Sequence, residues 1–436
     1  MRFKRFFVAL FIMLPWASVW SALPIQQWQT SSGAKVLFVE NRDLPILDVS
    51  VEFGAGSSMD TAEKSGCANL VRHLLNLGAG GLSEDQIATS LADVGAQLHH
   101  HFDQDRAGIA LRTLSSERER KQALDVMSRL VQRPEFPQEV VDREKARVVQ
   151  SLRESSTKPD YIADRELTKL LYGTHPYGLN DSGEIETVSA LQRKDLLGFY
   201  QSNYVARNAV VAIIGDVDRA EATAIAESLT AQLPVGGHQF GVATVSLPVP
   251  VTKRIAHPAS QSHIQLAYPG LRRGDPDYFT LLVGNHILGG GGFVSRLMEE
   301  VRQQRGLAYS VSSFFSPFKE QGPFLIGLQT KKEQSDEAFV LTKQVLKDFV
   351  EKGPTEQELV AAKQNIIGGF PLRIDSNSKI LGFLAMMGFY GLPLSYLDDY
   401  LVAVETVTVD QVRQAFQRRI KPDGMVAVIV GAIEPN

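Results

Sequence analysis

The same arrangement of apolar positions occurs twice in this chain, over residues 188–215 and again over 404–431. The first stretch reads VSALQRKDLLGFYQSNYVARNAVVAIIG and the second VETVTVDQVRQAFQRRIKPDGMVAVIVG, aligned without a gap at an offset of 404 − 188 = 216. Leu191, Leu196, Tyr200 and Tyr204 fall opposite Val407, Val412, Phe416 and Ile420. That spacing predicts a helix in each copy. The unbroken runs AVVAII and MVAVIV then predict a buried strand, closed by Gly215 or Gly431. An offset near half the chain implies a duplicated domain.

The remaining pattern supports two copies of one unit. In the first half, strands AKVLFVE and ILDVSVEF precede helices near 65–77 and 83–94. Strands near 96–103 and 107–113 follow, then a helical run from about 115 to 203 and the closing strand. In the second half, strand SHIQLAYPG leads into helices at 276–288 and 294–304, strands near 309–317 and 323–330, further helices and the closing strand. The fold class is α+β: two homologous domains, each a mainly antiparallel sheet packed with helices. Residues 22–231 form the first domain and 252–436 the second. The joining stretch, 232–251, is rich in Gly and Pro and poor in charge.

Composition adds a compartment. MRFKR and the apolar run FFVALFIMLPWASVW have the form of a signal peptide over residues 1–21, with a Val19/Ser21 cleavage site before Ala22. A periplasmic, secreted protein is expected, with membrane contact only through an uncleaved leader. Of 436 residues 22% are charged and the net charge is −4, or −7 without Arg2, Lys4 and Arg5; nothing calls for nucleic acid. Cys67 is the single cysteine, so no internal disulfide supports the fold. Beside Ala68 and Leu70, it reads as a buried, inert thiol.

Candidate chemistry starts at NLVRHLLNLG, residues 69–78, where Asn69, Arg72, His73 and Asn76 share one face of an otherwise apolar helix. With that face in view, the two halves resemble the pitrilysin/insulinase zinc peptidases, especially the short bacterial and mitochondrial-processing-peptidase-like members. The family's helix carries H-x-x-E-H, in which two histidines bind zinc and the Glu is the general base. Here Asn69 and Arg72 stand where the resemblance implies the first histidine and the base, and only His73 remains. The distal ligand falls at Gln150 or Ser151; Glu154 lies a turn beyond. The resemblance therefore implies a degenerate zinc motif and no metal or cofactor in this chain. A rival metal site is offered by LHHHFDQD, where His99, His101 and Asp103 alternate onto one strand face.

LGGGGFVSRLMEEVRQQRGLAYSVSSFF, 288–315, resembles the family's second-domain signature. Arg302 and Tyr309 match its substrate-binding Arg/Tyr pair, with Arg305 as a competing arginine and Glu299 as an alternative helix-surface partner of Arg302. Gly289, Gly290, Gly291 and Gly292 match a substrate-contacting glycine loop. The resemblance implies a noncatalytic, substrate-binding subunit of a heterodimeric zinc metallopeptidase. Its partner would carry the intact H-x-x-E-H and the zinc, and its substrate would be an extended peptide. A self-sufficient metallopeptidase and a scaffold without a catalytic partner are the alternatives.

Overall fold

The computed structural model describes residues 23–234 and 241–431, so the expected leader at 1–21 lies outside the described residues. The first sheet contains β1 (Gln26–Gln29), β2 (Lys35–Glu40), β3 (Ile46–Phe53), β4 (Gln97–Phe102), β5 (Ala107–Leu114) and β6 (Val210–Gly215), in the order β1-β2-β6-β3-β5-β4. The second contains β7 (Val251–Ile255), β8 (Gln261–Pro269), β9 (Val311–Phe315), β10 (Pro323–Lys331) and β11 (Val426–Val430), in the order β7-β11-β8-β10-β9. With β1 set aside, the two orders match strand for strand. Each closing strand runs parallel to one neighbour and antiparallel to the other.

Helices fill the first half as α1 (Cys67–Leu74), α2 (Glu84–Ala92), α3 (Glu117–Gln132), α4 (Gln138–Ser155), α5 (Pro159–Tyr172), α6 (Ile185–Ala190), α7 (Arg193–Asn203) and α8 (Arg219–Thr230). The second half has α9 (Tyr278–Asn285), α10 (Ser335–Lys352), α11 (Glu356–Gly369), α12 (Asn377–Tyr390), α13 (Tyr396–Glu405) and α14 (Val409–Arg419). The repeat read from the sequence is real in space: α7 and α14 are both 11 residues long and begin 409 − 193 = 216 positions apart. Its closing glycines share a cause. Gly215 (φ +148°) and Gly431 (φ +97°) have positive φ, and a Cβ on either would meet the backbone of the adjoining strand, at Ile46 or Gln261. The expected helix at 294–304 is broken into a 3-10 turn, Gly292–Val294, and a π-helical segment, Met298–Gln304. Wide turns flank the glycine run, with Gly291 N–H donating to His286 O at 2.8 Å.

The halves are interlocked by exchanged helices. Helix α5 of the first half lies on β8 and β11 of the second, where Ala163, Leu167 and Leu171 pack with Ala267, Val426 and Val428. Helix α12 of the second half lies on β6, β3 and β2 of the first. Its sequence is apolar nearly all round, as a helix between two layers must be. The approach is close: a Cβ at Gly388 would meet Leu37 Cδ1 at 2.7 Å. Because its faces are covered, β6 is buried at every residue, which is why its sequence does not alternate.

One buried carboxylate ties the halves together. Asp105 accepts from Tyr177 Oη (2.7 Å), Lys319 N (2.6 Å) and Tyr390 Oη (2.9 Å). Arg106 stacks over the Tyr390 ring at 5.4 Å. The described part of the joining stretch is also held, by His175 Nε2 on Ala243 O at 2.7 Å and by packing of Val242 and Val245. Among the described residues no helix is long and apolar enough to cross a membrane.

Candidate functional site

Helix α1 is anchored at its start. Gly66 takes a left-handed conformation, and the buried Asp60 carboxylate accepts from Gly66 N (2.8 Å) and Ala68 N (2.9 Å). Such a carboxylate satisfies backbone donors that the helix cannot. Leu70, Val71 and Leu74 are buried, while Asn69, Arg72 and His73 form a half-buried polar face. Cys67 is buried, and burial beside Asp60 pushes its thiol far up, so it is protonated and inert, as expected.

Helix α4 packs across α1 and brings a residue that the sequence did not single out. Glu144, with its side chain 2% exposed, meets His73 Nε2 at 3.0 Å. It also accepts from Arg143 Nε (2.7 Å) and Arg147 Nη1 (2.8 Å). Burial alone would raise this carboxyl, but the hydrogen bonds from Arg143 and His73 and the charge of Arg147 outweigh it and hold the group below the usual range. Ser151 lies two helical turns further along α4 and lines the same cavity of about 370 Å³ with Asn69, Arg72, His73, Glu144 and Arg147. Gln150 turns outward and donates to Glu154 Oε1 at 2.9 Å. Of the three positions weighed for a distal ligand, only Ser151 lines this cavity.

Arg72 occupies the place of the base. Its Nη2 donates to Asn69 Oδ1 at 2.8 Å, and its guanidinium sits 5.7 Å from the Phe102 ring centroid. Burial lowers its proton affinity, yet an arginine remains charged. His100, from edge strand β4, feels that charge. Burial together with Arg72, His73 and His99 drives its imidazole down to about 4, so it is neutral at physiological pH. Sequence alternation drew attention to His99 and His101, but the face of β4 carrying His100 is the one turned to α1. A carboxamide and a guanidinium cannot replace an imidazole and a carboxylate in a zinc site. Zinc does not fit here, and among the described residues no three His, Cys, Asp or Glu side chains are placed to hold a metal. At the rival strand site, His101 Nε2 meets Asp103 Oδ2 at 2.9 Å, and Asp103 is also engaged by Arg106 at 3.0 Å. That carboxylate is committed to its neighbours.

The second half presents a different surface. Tyr309 is 82% exposed and Phe293 is 65% exposed. Arg302 lies over both rings, 4.8 Å from the Phe293 centroid and 5.3 Å from that of Tyr309. Among the described ion pairs Arg302 has none; Arg305, the competing arginine, pairs with Glu300 at 2.9 Å. Glu299 accepts instead from Gln304 at 3.2 Å. The glycines divide by role. Gly289 is buried, where a Cβ would strike Leu297 Cδ1 at 2.7 Å; Gly290 and Gly291 are equally close to Asn285 and His286. Gly292 alone faces open space, at φ +64°.

The comparisons agree with this geometry. The family model described as insulinase (peptidase family M16) matches residues 35–181, and the one described as the peptidase M16 inactive domain matches 190–366. A crystal structure from Pseudomonas fluorescens, described as a peptidase M16 inactive domain, superposes with a TM-score of 0.91 at 39% identity. It covers 94% of this chain and 98% of its own. The chain belongs to the M16 (insulinase) peptidase family, and its zinc motif is degenerate. Helicobacter pylori has a relative described as the non-peptidase homolog YmxG, 25% identical over 98% of each chain. The mitochondrial-processing peptidase subunit beta of Lentinula edodes is 22% identical over 93% of this chain and 89% of its own.

Proposed function

We propose that this chain is the noncatalytic, substrate-binding subunit of a periplasmic heterodimeric zinc metallopeptidase that acts on peptides. The partner supplies the intact H-x-x-E-H and the zinc; this chain supplies the opposing wall and holds the substrate. The observation that carries the reading is the half-buried Arg302, set over the exposed rings of Phe293 and Tyr309 without a carboxylate partner among the described ion pairs. A guanidinium held open by two rings offers donors to peptide carbonyls or a terminal carboxylate, and the Tyr309 hydroxyl adds another. Gly292, exposed at the start of the same segment, lets an extended backbone approach. Orientation of the scissile bond is a large part of catalysis even where the orienting chain has no nucleophile.

The test is reconstitution with an H-x-x-E-H peptidase that co-purifies from the native periplasm. Peptide cleavage by the pair should exceed that of either chain alone. Arg302→Ala should reduce kcat/KM about tenfold or more through loss of a charge-assisted contact, with zinc in the pair unchanged. Unaltered kinetics in the variant would remove Arg302 from the substrate-binding role.

A further inference from the structure

In the cavity beside α1, one charge has no counterpart. Three donors already engage Glu144: His73, Arg143 and Arg147. Arg72 is on the same wall, and among the described ion pairs no carboxylate lies within 4.0 Å of it. Among the described residues its hydrogen-bond partner is the neutral Asn69 amide, and its Nε is buried without a partner there. A half-buried guanidinium without a counter-charge is costly to keep.

The rest of the lining is rich in donors. With Oδ1 of Asn69 engaged by Arg72, the Nδ2 end of that amide is left as a donor. Arg147 is exposed beyond its contact with Glu144, its side chain 66% accessible, and Ser151 contributes a hydroxyl. Such a wall suits a ligand that only accepts hydrogen bonds and carries negative charge. The cavity, at about 370 Å³, has room for a carboxylate and the chain that bears it.

We propose that the Arg72 cavity binds a carboxylate of a bound peptide, either its C-terminus or an acidic side chain. The site has exchanged affinity for a cation for affinity for an anion. The identity of the ligand as peptide rests on the substrate-binding reading above. The cavity belongs to this chain alone, so binding to the isolated chain tests it without reference to any partner.

The experiment measures fluorescence anisotropy of short alanine/serine peptides carrying a neutral fluorophore, titrated with the purified full chain. Four probes are compared: a free C-terminal acid, its C-terminal amide, and amidated peptides with one internal Glu or Gln. The wild-type chain should favour the acid over the amide, or Glu over Gln, by about tenfold; which pair differs identifies the source of the carboxylate. In Arg72→Gln the preference should vanish. In Asn69→Asp it should vanish as well, because an aspartate in place of the amide already bonded to Arg72 fills the guanidinium from within the chain. Asn69→Asp decides the matter if Arg72→Gln fails to fold, as judged by circular dichroism. Equal affinity for all four probes in the wild type, no binding of any probe, or a preference that persists in the variants would overturn the proposal.

Discussion

The polar cluster at α1 and the exposed cluster around Arg302 sit in equivalent halves of a duplicated fold, yet their side chains are employed in opposite ways. At α1, Glu144 is buried and contacted by His73, Arg143 and Arg147, so that one acid holds two helices in register. At Arg302 the aromatic partners Phe293 and Tyr309 are largely exposed and contact the guanidinium from the solvent side. A group kept at the surface without a structural task argues for a ligand. A group locked in a hydrogen-bonded cluster argues for stability. The first half has kept the shape of a metal site while Glu144 and its partners have turned to holding helices, leaving Arg72 as its one uncommitted charge among the described residues; the second half keeps its exposed groups free for contact.

That contrast can be broken by rebuilding the metal site. Asn69→His with Arg72→Glu restores one imidazole and the base, but the variant still lacks a third ligand and should not bind zinc tightly. Adding Ser151→Glu places a carboxylate on the α4 face that lines the same cavity. The triple variant should gain zinc affinity by about a hundredfold or more over the double variant, as read by competition with a chromophoric chelator. Tight binding by the double variant would mean that Glu144 leaves its arginines to act as a ligand.

A smaller effect sharpens the same comparison. Glu144→Ala leaves Arg143, Arg147 and His73 without their shared acceptor, and should cost about 1–3 kcal/mol in urea unfolding. Tyr309→Ala, by contrast, should leave stability within about 0.5 kcal/mol of the parent, since the ring is exposed. Equal losses at both sites would erase the distinction between them.

The smallest effect concerns the anchor of α1. Burial lifts the Asp60 carboxyl to about 7, although backbone donors at Ala68, Gly66 and Cys67 pull it down. A folded value above the unfolded one means that the native state holds a proton that the unfolded chain has released. Stability therefore falls as pH rises from the ordinary carboxylate range toward 7, and levels off above it. Asp60→Asn should flatten that slope in thermal melts between those limits; an unchanged slope would place its origin at another group.

Much of this architecture was legible in the chain. The repeat of helix and closing strand appeared at the same offset in sequence and in space, because buried faces at 3.6-residue spacing survive divergence. Asn69, Arg72 and His73 were legible as altered motif positions because neighbours on one helix are fixed by short-range spacing. Glu144 was not, since its link to His73 depends on how α4 crosses α1, and no local period encodes a crossing. It precedes Ser151 by two turns on the same face, and that spacing was the available signal. Nor did alternation along β4 tell which face meets α1, so His99 and His101 drew notice while His100 lies nearer the charge of Arg72. The exchange of α5 and α12 between halves left one trace, the nearly unbroken apolar surface of α12, which a helix with one solvent face does not need.

The most direct test is to equilibrate the purified chain with zinc, remove excess metal, and measure metal content and peptide hydrolysis together. No stoichiometric zinc and no chelator-sensitive cleavage by the chain alone are expected. One tightly held zinc per chain, with hydrolysis that a chelator abolishes, would contradict that expectation.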